Sequence, residues 1–217
     1  MTISPTQIKD LDSVAYLKWL LTFEGCKECS LGFQADINGC CVSRGDWNTR
    51  RMIIGEAPGE TEDWTSFPFT PFTGPAGKLL DQIFSSQGWD TNKDWYLTNI
   101  VLCRPIAPEG SGKENLTPQT EQRAKCRPYL DKQLELISPK IIVATGASAT
   151  SALLGMPIRM GDYRGKLIRR GKMLIFPMLH PAALLHAQRT PALYQMYRQQ
   201  TWEDIQKLKK IVDKEQI

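Results

Sequence analysis

The sequence predicts an α/β fold: a three-layer α/β/α sandwich around a central, mostly parallel sheet of four strands. Three observations lead there. Four short apolar runs have the length and composition of buried strands, segments of helical periodicity separate them, and 217 residues with 41% hydrophobic side chains can bury one large core. Strands interleaved with helices pair in parallel and are covered on both faces. A single domain over residues 1–217 is expected.

In chain order, Val14, Leu17, Leu20 and Leu21 recur at helical spacing and Gly25 follows as a stop, so residues 13–24 read as an amphipathic helix. RMIIGEAPG (51–59) reads as a buried strand running into a Gly/Pro turn. PAGKLLDQIFSSQGW then reads as a helix, with Pro75 near its start and Gly88 past its end. WYLTNIV (95–101) is the second strand, residues 117–137 a second long helix with an irregularity before Pro128, and KIIVATG (140–146) the third strand. A short helix at 147–154, a basic hairpin-like stretch YRGKLIRRGKMLIFPM that ends in the fourth strand, and a helix near 191–213 complete the chain.

Composition excludes several classes. Charged residues at 23% and the absence of repeats argue against disorder, coiled coil or collagen-like structure. No apolar run reaches the roughly 18 residues that span a bilayer, and MTISPTQIKDLDS lacks the pattern of a signal peptide. A cytoplasmic protein without a membrane partner is expected. The net charge of +4 permits a polyanionic partner without demanding one.

Six cysteines in such a chain point to metal or chemistry rather than to disulfides. Cys26 and Cys29 form a C-x2-C, while Cys103 and Cys126 stand apart. Zinc usually draws a second close pair, whereas an iron-sulfur cluster accepts ligands spread along the chain. The dispersed set leans toward iron-sulfur. Cys40 and Cys41 are adjacent, so their side chains diverge, and they read as thiols outside the ligand set.

In parallel sheets ligands bind beyond the carboxyl ends of the strands. The four strands here end on GEAPGETED, on Asn99 and Cys103-Arg104-Pro105, on Thr145-Gly146, and on LHPAALLHAQR, and one pocket is expected to collect them. GEAPG places the acid Glu56 in a turn whose glycines allow close backbone approach. Glu60, Glu62 and Asp63 read as a solvated loop face. Asn99 needs hydrogen-bond partners if buried. His180, before Pro181, reads as a loop histidine at a strand end. Phe67, Phe69 and Phe72 fit a core as well as a site. No phosphate-cradling G-x4-G-K-[ST] is present, which argues against nucleotide hydrolysis.

Taken in order, CKEC, GEAPGETED, PFTGPAGKLLD, YLTNIVLCRP, CRPYL and FPMLHPAALL resemble the iron-sulfur uracil-DNA glycosylases, family 4 of that superfamily, over roughly residues 26–190. The resemblance implies a 4Fe-4S cluster on Cys26, Cys29, Cys103 and Cys126, and hydrolytic release of uracil from DNA as the first step of base excision repair. It implies that Gly55, Glu56 and Ala57 contact the base and the attacking water, with Glu56 and His180 as the catalytic pair. Phe72 would stack on the flipped base, with Phe69 as the second register offered by PFTPFTG, and Asn99 would pair with the uracil edge. Leu184, His186 and Arg189, in the loop after His180-Pro181, would contact DNA. Arg164, Lys166, Arg169, Arg170 and Lys172 either reach phosphates or form a solvated basic surface.

The related branch that traps its product covalently uses a histidine in an extended loop here. No histidine lies between residues 103 and 126, so ordinary turnover is expected. Uracil-containing DNA is the expected partner of a monomer, and a sliding clamp or a polymerase as protein partner stays open. Two other readings stand beside this one: a cluster- or zinc-stabilised nucleic-acid-binding module without activity, and a glycosylase for another deaminated base.

Overall fold

The runs richest in β-branched and large apolar side chains are the ones that become fully buried strands. The computed structural model describes residues 27–34, 40–65, 72–107 and 115–217. Along the chain these form α1 (Ser30–Gln34), β1 (Arg44–Gly45), β2 (Arg51–Gly55), α2 (Glu60–Thr65), α3 (Pro75–Ser85), α4 (Thr91–Asp94), β3 (Tyr96–Asn99) and α5 (Thr120–Ile137). They continue as β4 (Ile141–Thr145), α6 (Ala147–Leu154), α7 (Met160–Tyr163), β5 (Ile168–Arg170), β6 (Met173–Met178), α8 (Pro181–Ala187) and α9 (Pro191–Glu215). The helix expected over 13–24 lies outside the described residues.

The chain divides into two compact units. Arg44–Gly55, Pro75–Leu97 and Pro139–Ile217 make a sheet unit, and the described parts of Met1–Ser43, Glu56–Gly74 and Thr98–Ser138 make a cysteine unit.

Among the described residues the sheet has six strands in the order β1-β3-β2-β4-β6-β5, with helices flanking it, and β2, β4 and β6 run parallel as expected. Met52 pairs with Ile142, and Val143 with Phe176. The four expected strands are β2, β3, β4 and β6. The other two lie at the edges and run antiparallel to their neighbours. They escape a reading of apolar runs because β1 is only Arg44–Gly45 and β5 is a half-exposed to exposed Ile-Arg-Arg. Charged residues on an edge also discourage pairing with another chain.

Leu80 and Phe84, one turn apart on α3, are buried, and Phe84 stacks edge-on against Trp95 at 5.1 Å, with Trp89 at 5.3 Å from Trp95. Helix α9 buries Thr201, Asp204, Ile205, Leu208 and Val212 at helical spacing. The acid in that stripe is held by Arg164, whose guanidinium reaches both Asp204 oxygens at 3.0 and 2.8 Å and the Gln200 carbonyl at 2.6 Å. Burial pushes the Asp204 carboxyl up to about 6, and Arg164 pulls against that rise. Gly165, in the left-handed region at φ 66°, packs its backbone where any Cβ would strike Asp204.

In the cysteine unit α5 opens on a capping box, the Gln119 N–H donating to Gln122 Oε1 at 2.7 Å. The helix runs on through Pro128, so the irregularity expected there does not interrupt it. It buries Cys126, Tyr129, Leu130 and Gln133.

Candidate active site

The loop after β2 carries Glu56 and belongs to the cysteine unit. The Val101 N–H donates to the Glu56 carbonyl at 3.0 Å, which ties this loop to the segment after β3. Glu56 Oε1 is buried and has no hydrogen-bond partner among the described residues. A buried carboxylate oxygen left open in this way is poised for a water or a ligand. Gly55 is buried, and Ala57 is half-buried beside Glu56.

Asn99, the last residue of β3, is 3% exposed. The strand end is where the sequence places it. Phe72 is buried as well, and its backbone lies in the left-handed region at φ 62°. For a bulky side chain that costs on the order of 1–3 kcal/mol and persists only where surrounding contacts impose it. Phe67 and Phe69 lie outside the described residues.

Glu62 departs from the solvated loop face expected of its run. It is 7% exposed, not solvated, and its carboxylate accepts from two backbone N–H groups: Gly59 to Oε2 at 3.1 Å and Gly74 to Oε1 at 2.9 Å. Glu60, two positions earlier, is exposed and meets Arg104 at 3.3 Å. A glycine followed three residues later by Glu at a helix start is a capping signal that points to the first of the two Glu62 bonds.

In the sheet unit His180 does stand at the end of β6, but as the N-cap of α8 rather than on an open loop, with Pro181 at the first helical position. Its Nδ1 accepts the Ala182 N–H at 3.2 Å. In the neutral ring the proton then sits on Nε2, which is left as a donor. Desolvation, with a smaller contribution from His186, pushes the His180 pKa from 6.5 down to about 4. The end of β4 comes close as well: a Cβ on Gly146, at φ 91°, would lie 3.3 Å from the His180 Cβ. Of the other residues expected to reach DNA, His186 and Arg189 are exposed, while Leu184 is 5% exposed. Arg164 is committed to Asp204, so it is a strut of α9 and not one of the open cations.

Cys29, Cys40, Cys41, Cys103 and Cys126 are all buried in the cysteine unit. Cys40 and Cys103 approach to 2.7 Å between sulfurs, and the Cys41 thiol donates to the Glu62 carbonyl at 3.6 Å. Cys26 lies outside the described residues, and among the described residues no three Cys, His, Asp or Glu side chains form a group able to hold a metal ion. The donor type nevertheless fits: five buried sulfurs in one unit are soft ligands in an apolar setting.

Comparison with known proteins gives the family. The family model of the uracil DNA glycosylase superfamily matches residues 42–206. A type-4 uracil-DNA glycosylase of Thermotoga maritima is 35% identical over 192 residues, 88% of this chain and 91% of that protein. The type-4 enzyme of Saccharolobus solfataricus is 36% identical over 74% of this chain and 73% of its own length, and that of Archaeoglobus fulgidus 33% identical over 76% and 78%. With a family model spanning both Glu56 and His180, and relatives this similar over most of their length, the chain belongs to the uracil DNA glycosylase superfamily.

Proposed function

We propose that this chain is a uracil-DNA glycosylase: it extrudes uracil from DNA, hydrolyses the bond from C1′ to N1, and leaves an abasic site for base excision repair. The observation that carries the reading is the state of His180. Capped at Nδ1 by Ala182 and held neutral by burial, it presents Nε2–H as a donor at neutral pH. Cleavage of the glycosidic bond builds negative charge on uracil O2, and one preorganised donor is worth about 2.7–4 kcal/mol in comparable oxyanion sites.

The other roles follow from residue chemistry. Extruding a base costs a few kcal/mol and favours weakly paired bases such as uracil opposite guanine. Phe72 offers the π-face for the extruded base. The Asn99 amide donates to O4 and accepts from N3–H, whereas cytosine reverses donor and acceptor at those positions. Glu56 orients water through the oxygen that has no partner among the described residues and favours the cationic sugar by its charge. Gly55 and Ala57 let the backbone approach the base. His186 and Arg189 are the exposed DNA contacts, and Leu184 supports them from the buried face of α8.

Cys26, Cys29, Cys103 and Cys126 would hold a 4Fe-4S cluster, which stabilises the fold and takes no part in the hydrolysis. The 217 residues work as one domain of a cytoplasmic monomer that turns over without a covalent adduct. Release of uracil from a uracil-containing oligonucleotide, read as strand breaks after alkali, tests the function. Wild type must cleave, and His180→Ala must lose about 10²–10³-fold in rate. An uncleaved oligonucleotide bound at normal affinity would instead identify a binding module, and cleavage at hypoxanthine or xanthine with uracil untouched would identify another deaminated base.

A further inference from the structure

Within the cysteine unit we infer that Glu62 is a positioning residue for uracil capture, a clamp that sets the Glu56 loop and the Phe72 loop in register. The inference rests on the glycosylase reading above. One Glu62 oxygen does ordinary local work: Oε2 accepts the Gly59 N–H at the start of α2, as the third residue of a capping box does. That bond ends the loop that began at Glu56. The second oxygen is not explained by capping. Oε1 accepts the Gly74 N–H at 2.9 Å, twelve residues along the chain and two beyond Phe72.

A carboxylate that is 7% exposed must be repaid by such bonds, because burying it unpaired is costly. Both loops are shaped around it. A Cβ on Gly59 would come within 2.9 Å of Oε2, and a Cβ on Gly74 within 2.9 and 3.0 Å of the two oxygens. The left-handed backbone of Phe72 lies just before the clamped Gly74, and this bond is one of the contacts able to impose it. The backbone of Glu62 is anchored in turn, its carbonyl accepting the Cys41 thiol. Cys41 follows Cys40, whose sulfur lies against Cys103. The clamp therefore connects Cys41, and through it the Cys40–Cys103 pair, to both uracil-facing loops.

The test uses the full, iron-loaded chain with four variants: Glu62→Ala, Glu62→Gln, Gly74→Ala and the double variant Glu62→Ala/Gly74→Ala. Free uracil as a competitive inhibitor reports the loops, an oligonucleotide with an uncleavable abasic-site analogue reports the DNA grip, and absorbance near 400 nm reports the cluster. The expected result for Glu62→Ala is a 10- to 100-fold loss in excision and in uracil affinity, since a charged buried acceptor is removed. Abasic-DNA affinity and absorbance should stay at wild-type values. Glu62→Gln, which keeps one acceptor oxygen, falls between. Gly74→Ala loses uracil affinity on its own but adds little to Glu62→Ala, because contacting residues are not additive.

Wild-type uracil affinity in Glu62→Ala, or full additivity with Gly74→Ala, would overturn the clamp. So would a parallel loss of abasic-DNA affinity and absorbance, which marks a fold defect. If Glu62→Ala does not fold, Glu62→Gln and Gly74→Ala decide by the same readouts. A wild type that releases no uracil defeats the glycosylase reading instead, and is recognised before any variant is compared.

Discussion

Lowering the pH is the sharpest perturbation of the proposed chemistry, because it asks whether His180 works as a neutral donor. An ordinary histidine of pKa 6.5 is about nine-tenths charged at pH 5.5. With its pKa at about 4, His180 is only about 3% charged there. Protonation would also force Nδ1 to carry a proton and so break the Ala182 cap. The assay is single-turnover excision from a uracil-containing oligonucleotide from about pH 4.5 to about pH 8, with kcat/KM reporting the free enzyme. The rate should be flat across the ordinary histidine range, with an acid limb near 4, where a normal imidazole would already have cost about tenfold at pH 5.5. The same separation acts on folding. The unfolded chain takes up the proton below 6.5 and the folded chain only near 4. Stability is therefore full above 6.5 and falls as pH drops through that window, by at most roughly 3 kcal/mol. A limb near 6.5 that vanishes in His180→Ala would refute the neutral-donor reasoning.

Three further outcomes follow from the same geometry. Asn99→Asp should weaken discrimination against cytosine, measured as the ratio of uracil to cytosine release, since a carboxylate cannot keep the donor that faces O4. Phe72→Ala should impair excision more than Phe69→Ala, and equal losses would show that the second register of PFTPFTG supplies the stacking ring. Cys103→Ser and Cys126→Ser should lose iron and absorbance near 400 nm, whereas Cys40→Ser should keep both; iron lost from Cys40→Ser would place that thiol among the ligands.

The interior strands and the long helices were legible because burial there is local and periodic. Ile53 and Ile54, Ile141 to Val143 and Ile175 and Phe176 announce buried strands by composition, and Leu80 with Phe84 announces a buried helix face by spacing. The strand-end positions of Glu56, Asn99 and His180 were legible as well, since the flanking apolar runs and turns are written in the chain. Their fine state was not. His180 became a helix cap with a defined tautomer only because α8 starts at Pro181, and its low pKa comes mainly from desolvation in the folded chain.

Glu62 and Arg164 show the limit most plainly. Both sit in runs whose local character is charged and surface-like, and both are drawn inward by partners far along the chain: Gly74 for one, Asp204 for the other. Periodicity reports how a residue sits on its own element, because that depends on neighbours three or four positions away. Which distant backbone N–H or carboxylate meets it depends on how loops close, and a buried charge is tolerated only where that closure supplies hydrogen-bond partners.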